Sequence, residues 1–221
     1  MTAAGRPPER PRVLVLHGIW NARSWVAPLA WRLRGQGFDV QCLGYASVLG
    51  GPERAVPWLV ERLRSAGPVA LVGHSLGGLV ALEALRRAPE LPVARVVCLG
   101  SPLRGSATAR ALVGRGLPLA LGRSRGLLVD GVPPWQGPAA VGMVAGRVPR
   151  GLGALLGAVD AASDGTVALA ETRLPGLAGH CEVEASHTGL VFSAAAAMQT
   201  AAFLRHGRFP GVGDGVGGDR R

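Results

Sequence analysis

The chain has 221 residues, 48% of them apolar and 17% charged, which is enough for one domain with a sizeable core and too apolar for a disordered polymer. Its formal net charge of +10 comes from 24 basic residues set against 14 acidic ones, and every basic residue is an arginine. With abundant alanine and glycine the arginines read as compositional bias, and one tyrosine and four phenylalanines leave little to stack on bases, so no nucleic-acid partner is expected.

Residues 1–11 are polar and proline-rich, read as a flexible N-terminus, and lack the apolar stretch of a signal peptide. No run approaches a membrane span, so the expected location is cytoplasmic. The folded domain is expected over residues 12–206, with short apolar runs predicting strands at 13–16, 38–43, 69–72, 95–99, 141–145 and 181–185. Apolar residues at three- and four-residue steps predict helices over 25–34, 55–63, 79–85 and 194–204. Strands alternating with helices imply a mostly parallel sheet of about six strands covered on both faces, with ligands at the carboxyl ends of the strands.

The first strand runs into Leu16-His17-Gly18-Ile19-Trp20. The third runs into Gly73-His74-Ser75-Leu76-Gly77-Gly78 and a helix, which puts Ser75 on a sharp glycine-flanked turn with its hydroxyl exposed above the sheet. In a chain this rich in glycine, chance alone yields Gly-x-Ser-x-Gly roughly 0.2 times, so context has to decide. A second copy at 122–126, around Ser124, follows Leu117-Pro118-Leu119, has no strand before it and no evident helix start behind it, and reads as a loop. The stretch 103–138 breaks the strand-helix rhythm and reads as an insertion, either a lid over the site or an ordinary covering layer.

A serine hydroxyl needs a base, and the base needs an orienting carboxylate. Of the five histidines, His187 lies just past the last predicted strand, at the edge where Ser75 sits. His180 precedes that strand and is the runner-up, His74 adjoins Ser75 and reads as a packing or hydrogen-bonding residue, and His206 reads as solvated. Asp164, in the turn-forming Ser163-Asp164-Gly165-Thr166, is favoured as the carboxylate over Asp160. The N–H groups of Leu76 and Ile19 are the expected oxyanion donors, with Trp20 and Leu103 expected to contact substrate. Neither cofactor nor metal is implied, since cysteine and histidine do not occur at zinc spacings and no glycine-rich phosphate loop is present. Cys42, Cys98 and Cys181 fall in predicted strands as packed thiols, and 207–221 reads as a disordered tail.

Leu16-His17-Gly18, Gly73-His74-Ser75-Leu76-Gly77-Gly78, Gly100-Ser101-Pro102-Leu103-Arg104-Gly105-Ser106, Asp164-Gly165-Thr166-Val167 and His187-Thr188-Gly189-Leu190 occur in the order seen in α/β-hydrolases. Over about residues 12–204 the chain resembles small bacterial lipases and esterases of that superfamily. The segment from Gly100 resembles the Gly-Thr-Pro-His-x-Gly stretch of triacylglycerol lipases and of deacylases acting on lipid-linked inositol, with Leu103 where those carry histidine. The resemblance implies the three-layer α/β-hydrolase fold, Ser75 as nucleophile, Asp164 as acid, His187 as base and an acyl-enzyme intermediate. The expected substrate is a small-molecule or lipid ester. A thioesterase or acyltransferase on the same residues, or a non-catalytic binding module, are the alternatives. Peripheral contact with anionic lipid is expected only if the arginines gather on one face.

Overall fold

A computed structural model describes residues 10–210, and most of the expected N-terminal arm and glycine-rich tail therefore lies outside the described residues. Six strands form one parallel sheet: β1 (Arg12–Leu16), β2 (Asp39–Leu43), β3 (Val69–His74), β4 (Val93–Leu99), β5 (Ala140–Gly146) and β6 (Gly179–Val183). Their order is β2-β1-β3-β4-β5-β6, so the winding direction reverses between β1 and β3, where α/β sheets bind ligands. Along this row Leu16 pairs with Gly73, His74 with Leu99, Leu99 with Val144 and Gly146 with Val183. The segments that leave these residues therefore emerge side by side at one edge.

Side chains alternate across the sheet, so each strand feeds two apolar layers. Leu14, Leu16, Leu71, Val96, Cys98 and Met143 pack under α2 (Gly51–Arg64) and α3 (Leu76–Arg87). Val13, Val15, Val72, Val97, Leu99 and Val144 pack under α1 (Ala27–Gly35) and α9 (Ala194–His206) on the other face. The three cysteines are free thiols. Phe209, inside the expected tail, is buried against Phe203 of α9, with ring centroids 4.8 Å apart.

Several elements start elsewhere than the apolar pattern predicts. α2 begins four residues early because Gly51-Pro52-Glu53 supplies a proline in the first turn and a carboxylate that suits the helix dipole. β6 sits two residues earlier than expected, since Gly142 pairs with Gly179 and Met143 with His180, and backbone pairing does not require apolar side chains. The 103–138 stretch carries real helices, α4 (Ala107–Gly114), α5 (Pro118–Leu121) and α6 (Arg125–Asp130). Ser106 caps α4 by accepting the Ala109 N–H at 3.1 Å. Leu112, Leu121, Leu128, Val132 and Trp135 join the α2–α3 core, so the segment is packed as part of that layer. Two further short helices complete the described chain, α7 (Leu152–Leu155) and α8 (Leu169–Thr172). None of the described helices is long and apolar enough to cross a membrane.

Candidate active site

Ser75 stands between β3 and α3 at φ 55° and ψ −122°. Only Trp20 and Ser75 have positive φ among the described non-glycine residues, and strain of this kind costs about 1–3 kcal/mol. The turn closes because no side chain intervenes. A Cβ on Gly73 would fall 2.3 Å from the Gly78 nitrogen, and one on Gly77 2.7 Å from the Leu16 carbonyl oxygen. The Ser75 N–H donates to the Leu99 carbonyl at 2.8 Å, tying the turn to the end of β4.

Asp164 and His187 meet beside that turn. The His187 ring Nδ1 lies 2.7 Å from Asp164 Oδ2, and the His187 N–H donates to the Asp164 carbonyl at 2.8 Å. Asp164 Oδ1 is held by the N–H groups of Thr166 at 2.9 Å and Val167 at 2.7 Å, so the carboxylate is fixed on both oxygens. A carboxylate only accepts, so Nδ1 carries a proton, and in the neutral ring that assignment leaves the lone pair on Nε2. Gly100, which follows β4, approaches both groups: a Cβ there would sit 3.0 Å from Asp164 Oδ2 and 3.2 Å from His187 Nδ1. Ser75 and His187 are both nearly buried, at 7% and 8% exposure. Among the described residues Ser75 makes no hydrogen bond to His187, and such contacts commonly tighten only when substrate binds.

His74 holds this arrangement from beneath. Its Nε2 lies 3.0 Å from the His187 carbonyl oxygen, which must accept, so the ring is the Nε2–H form. Its Nδ1 is buried without a hydrogen-bond partner. Burial, reinforced by the neighbouring His187, brings its pKa from 6.5 down to about 3, with Asp164 and His17 the other charged or titratable groups acting on it. The unfolded chain therefore takes up a proton below pH 6.5 that the folded one refuses until about pH 3, so stability falls as the pH drops through that window. His74 alone contributes a slope of about 1.4 kcal/mol per pH unit in that window, and urea denaturation at pH 7 and pH 4.5 should show a clear net loss of stability at the lower pH. Burial also lowers His17 and His180, with the same sign, whereas burial raises Glu171 and offsets part of the loss.

The loop after β1 faces Ser75, since a Cβ on Gly18 would lie 3.0 Å from the Ser75 Cβ. His17 fixes the loop. Its Nε2 accepts the Tyr45 N–H at 3.3 Å, so its Nδ1–H donates to the Gly18 carbonyl at 2.8 Å. The Tyr45 hydroxyl donates to the His17 carbonyl at 2.7 Å, and the two rings stack 4.5 Å apart. Ile19 is half-buried in this loop, and Leu76 is fully buried at the first position of α3.

Trp20 stands at the rim, half-exposed, its indole N–H donating to the Ala120 carbonyl at 2.6 Å. Leu103 is instead fully buried and presents no surface to a substrate, because its apolar side chain belongs to the same core cluster as Leu128, Val132 and Trp135. Ser124, expected in a loop, immediately precedes α6, at an ordinary φ of −79°. It is buried and donates to the Ser47 carbonyl at 2.5 Å, so it lacks the strained turn. Asp160 is exposed and caps a local turn by accepting the Ala162 N–H at 2.9 Å. His180 lies near the start of β6, the end of the strand away from His187, and contacts Thr172 Oγ1 at 2.8 Å. His180 therefore lies away from Ser75, and His180→Ala should leave covalent labelling of Ser75 by a serine-directed probe within about threefold of the wild-type rate. His74 is the hydrogen-bonding residue expected beside Ser75, with the His187 carbonyl as its partner, whereas the supporting role of His17 was not expected, since only a fold that stacks Tyr45 on it gives it that partner. No group of three His, Cys, Asp or Glu suited to a metal occurs among the described residues.

The profile of the alpha/beta hydrolase family matches residues 13–213. The chain belongs to the alpha/beta hydrolase family. Its fold is similar to that of the mature lipase BlEst2 of Bacillus licheniformis, with a TM-score of 0.71 at 19% identity over 93% of this chain and 95% of that one. It is similar to phospholipase PlaB of Legionella pneumophila, TM-score 0.67 at 14% identity, covering 87% of this chain and 59% of PlaB. The type II thioesterase BorB of the borrelidin biosynthetic cluster gives a TM-score of 0.60 at 18% identity, over 88% and 91% of the two chains. No curated protein matches the chain.

Proposed function

We propose that this alpha/beta hydrolase cleaves carboxylic esters through an acyl-enzyme on Ser75. The observation that carries the reading is the His187–Asp164 pair, 2.7 Å apart and held beside a serine on a strained turn. In the proposed cycle the Ser75 hydroxyl attacks the ester carbonyl carbon while His187 Nε2 takes its proton. The N–H groups of Leu76 and Ile19 receive the oxyanion, with the N-terminus of α3 adding its dipole. His187 returns the proton to the alkoxide leaving group, and water, deprotonated by the same ring, then releases the acid and restores Ser75.

Apolar side chains around the site favour an apolar ester. Trp20, Leu49, Leu117, Leu119, Leu155 and Phe192 are all exposed and lie on segments that follow β1, β2, β4, β5 and β6, and the Trp20–Ala120 hydrogen bond brings the segments after β1 and β4 together. Exposed apolar groups brought together mark an interaction site more strongly than scattered ones do.

Matched p-nitrophenyl esters and acyl thioesters, compared by kcat/KM over several chain lengths, test the proposal. Faster ester turnover, lost in Ser75→Ala, is the expected result. Preference for the thioester would move the reading to a thioesterase, and turnover of neither by folded protein would move it to a binding module.

A further inference from the structure

The outer face of α1 and α9 carries a pattern that ester hydrolysis does not use. Ala27, Trp31 and Arg34 fall at i, i+4 and i+7 on the exposed side of α1, while Leu29, Ala30 and Leu33 are buried. On α9, Met198 and Arg205 are exposed seven residues apart. Trp31 is 70% exposed and Met198 61%. Between the two helices lies a groove of about 420 Å³ lined by Trp31, Arg32, Arg34, Ala194, Ala197 and Met198.

The helices that form this face carry charge of one sign. Neither α1, nor the turn before it (Arg23–Val26), nor α9 contains a single Asp or Glu, yet they hold Arg23, Arg32, Arg34 and Arg205. The first carboxylate after α1, Asp39, already lies 3.9 Å from Arg12. The arginines are also held in place. Arg34 donates to the Val40 carbonyl at 2.6 Å, Arg205 donates to the Gln36 carbonyl and lies over the Phe38 ring, and Arg32 lies 5.9 Å from the Trp31 ring. An amphipathic tryptophan and a methionine framed by guanidinium groups suit an interface that is anionic outside and apolar beneath.

We propose that the α1–α9 face docks this protein onto an anionic phospholipid surface, with Trp31 and Met198 entering the headgroup layer and Arg32, Arg34 and Arg205 meeting the phosphates. The inference is independent of the ester-hydrolase reading, since it needs neither Ser75 nor His187.

Sedimentation of the full-length protein with vesicles of phosphatidylcholine, with and without phosphatidylglycerol, tests it. Wild type should sediment with the phosphatidylglycerol vesicles, less so as salt is raised, and should stay behind with phosphatidylcholine alone. Arg32→Glu should weaken binding at least about fivefold, and Trp31→Ser/Arg32→Glu should abolish it. Trp31 is exposed, and Arg32 is half-buried and makes no hydrogen bond or ion pair among the described residues, so melting temperature and turnover of a soluble ester should match wild type. Failure of wild type to bind, or equal binding by the double variant, overturns the proposal. Binding to single-stranded RNA but not to vesicles, with the same dependence on Arg32, would overturn it by assigning the face to nucleic acid.

Discussion

Turnover of a short aryl ester by the Ser75→Ala variant should fall by roughly 10⁶-fold, the scale on which removing the nucleophile of a serine hydrolase acts. On the proposed assignment the remaining activity comes from the oxyanion donors alone. Alanine can occupy the same backbone as serine at φ 55°, since both carry one Cβ, so the variant should fold and melt within a few degrees of wild type. Ser124→Ala should leave turnover unchanged because Ser124 is buried against the Ser47 carbonyl. A loss smaller than about tenfold in Ser75→Ala would remove this residue from the reaction.

Asp164→Asn should lower kcat by about 10⁴-fold with little change in KM. An asparagine can keep its carbonyl oxygen toward the N–H groups of Thr166 and Val167, so the local turn survives. Its NH₂ then faces His187 Nδ1 and donates where the carboxylate accepts. The ring is driven to carry its proton on Nε2, which leaves no lone pair to take the serine proton. The signature of this effect is an intact fold and normal substrate affinity with a collapsed kcat, read from steady-state kinetics beside a denaturation curve.

The sheet was legible because buried parallel strands are continuous apolar runs, and Val13, Leu14, Val15 and Leu16 leave no other reading. Boundaries were less so. Gly179 and His180 pair with β5 through their backbones while their side chains carry no strand signal, and Gly51-Pro52 starts a helix before any apolar repeat does. The 103–138 stretch hid three helices of four to eight residues, too short to show a period, whose stability comes from burying Leu112, Leu121 and Leu128 in the common core. At the candidate site, the strained turn at Ser75 and the pairing of Asp164 with His187 were legible because turns at strand ends carry their own residue signature. Leu103 was misread as a pocket residue because sequence position after β4 says nothing of which way a side chain turns. The links from His17 to Tyr45 and from His74 to His187 were invisible for a related reason: these partners come from elsewhere in the fold, 28 and 113 residues away.

If Ser75 is an activated nucleophile, a fluorophosphonate should modify it covalently, which intact-mass spectrometry reads. One adduct is expected on wild type and on Ser124→Ala, mapped by peptide analysis to Ser75, none on Ser75→Ala, and labelling much slower in His187→Ala. An unmodified wild-type protein with a normal melting curve, or an adduct that persists in Ser75→Ala, would contradict that role for Ser75.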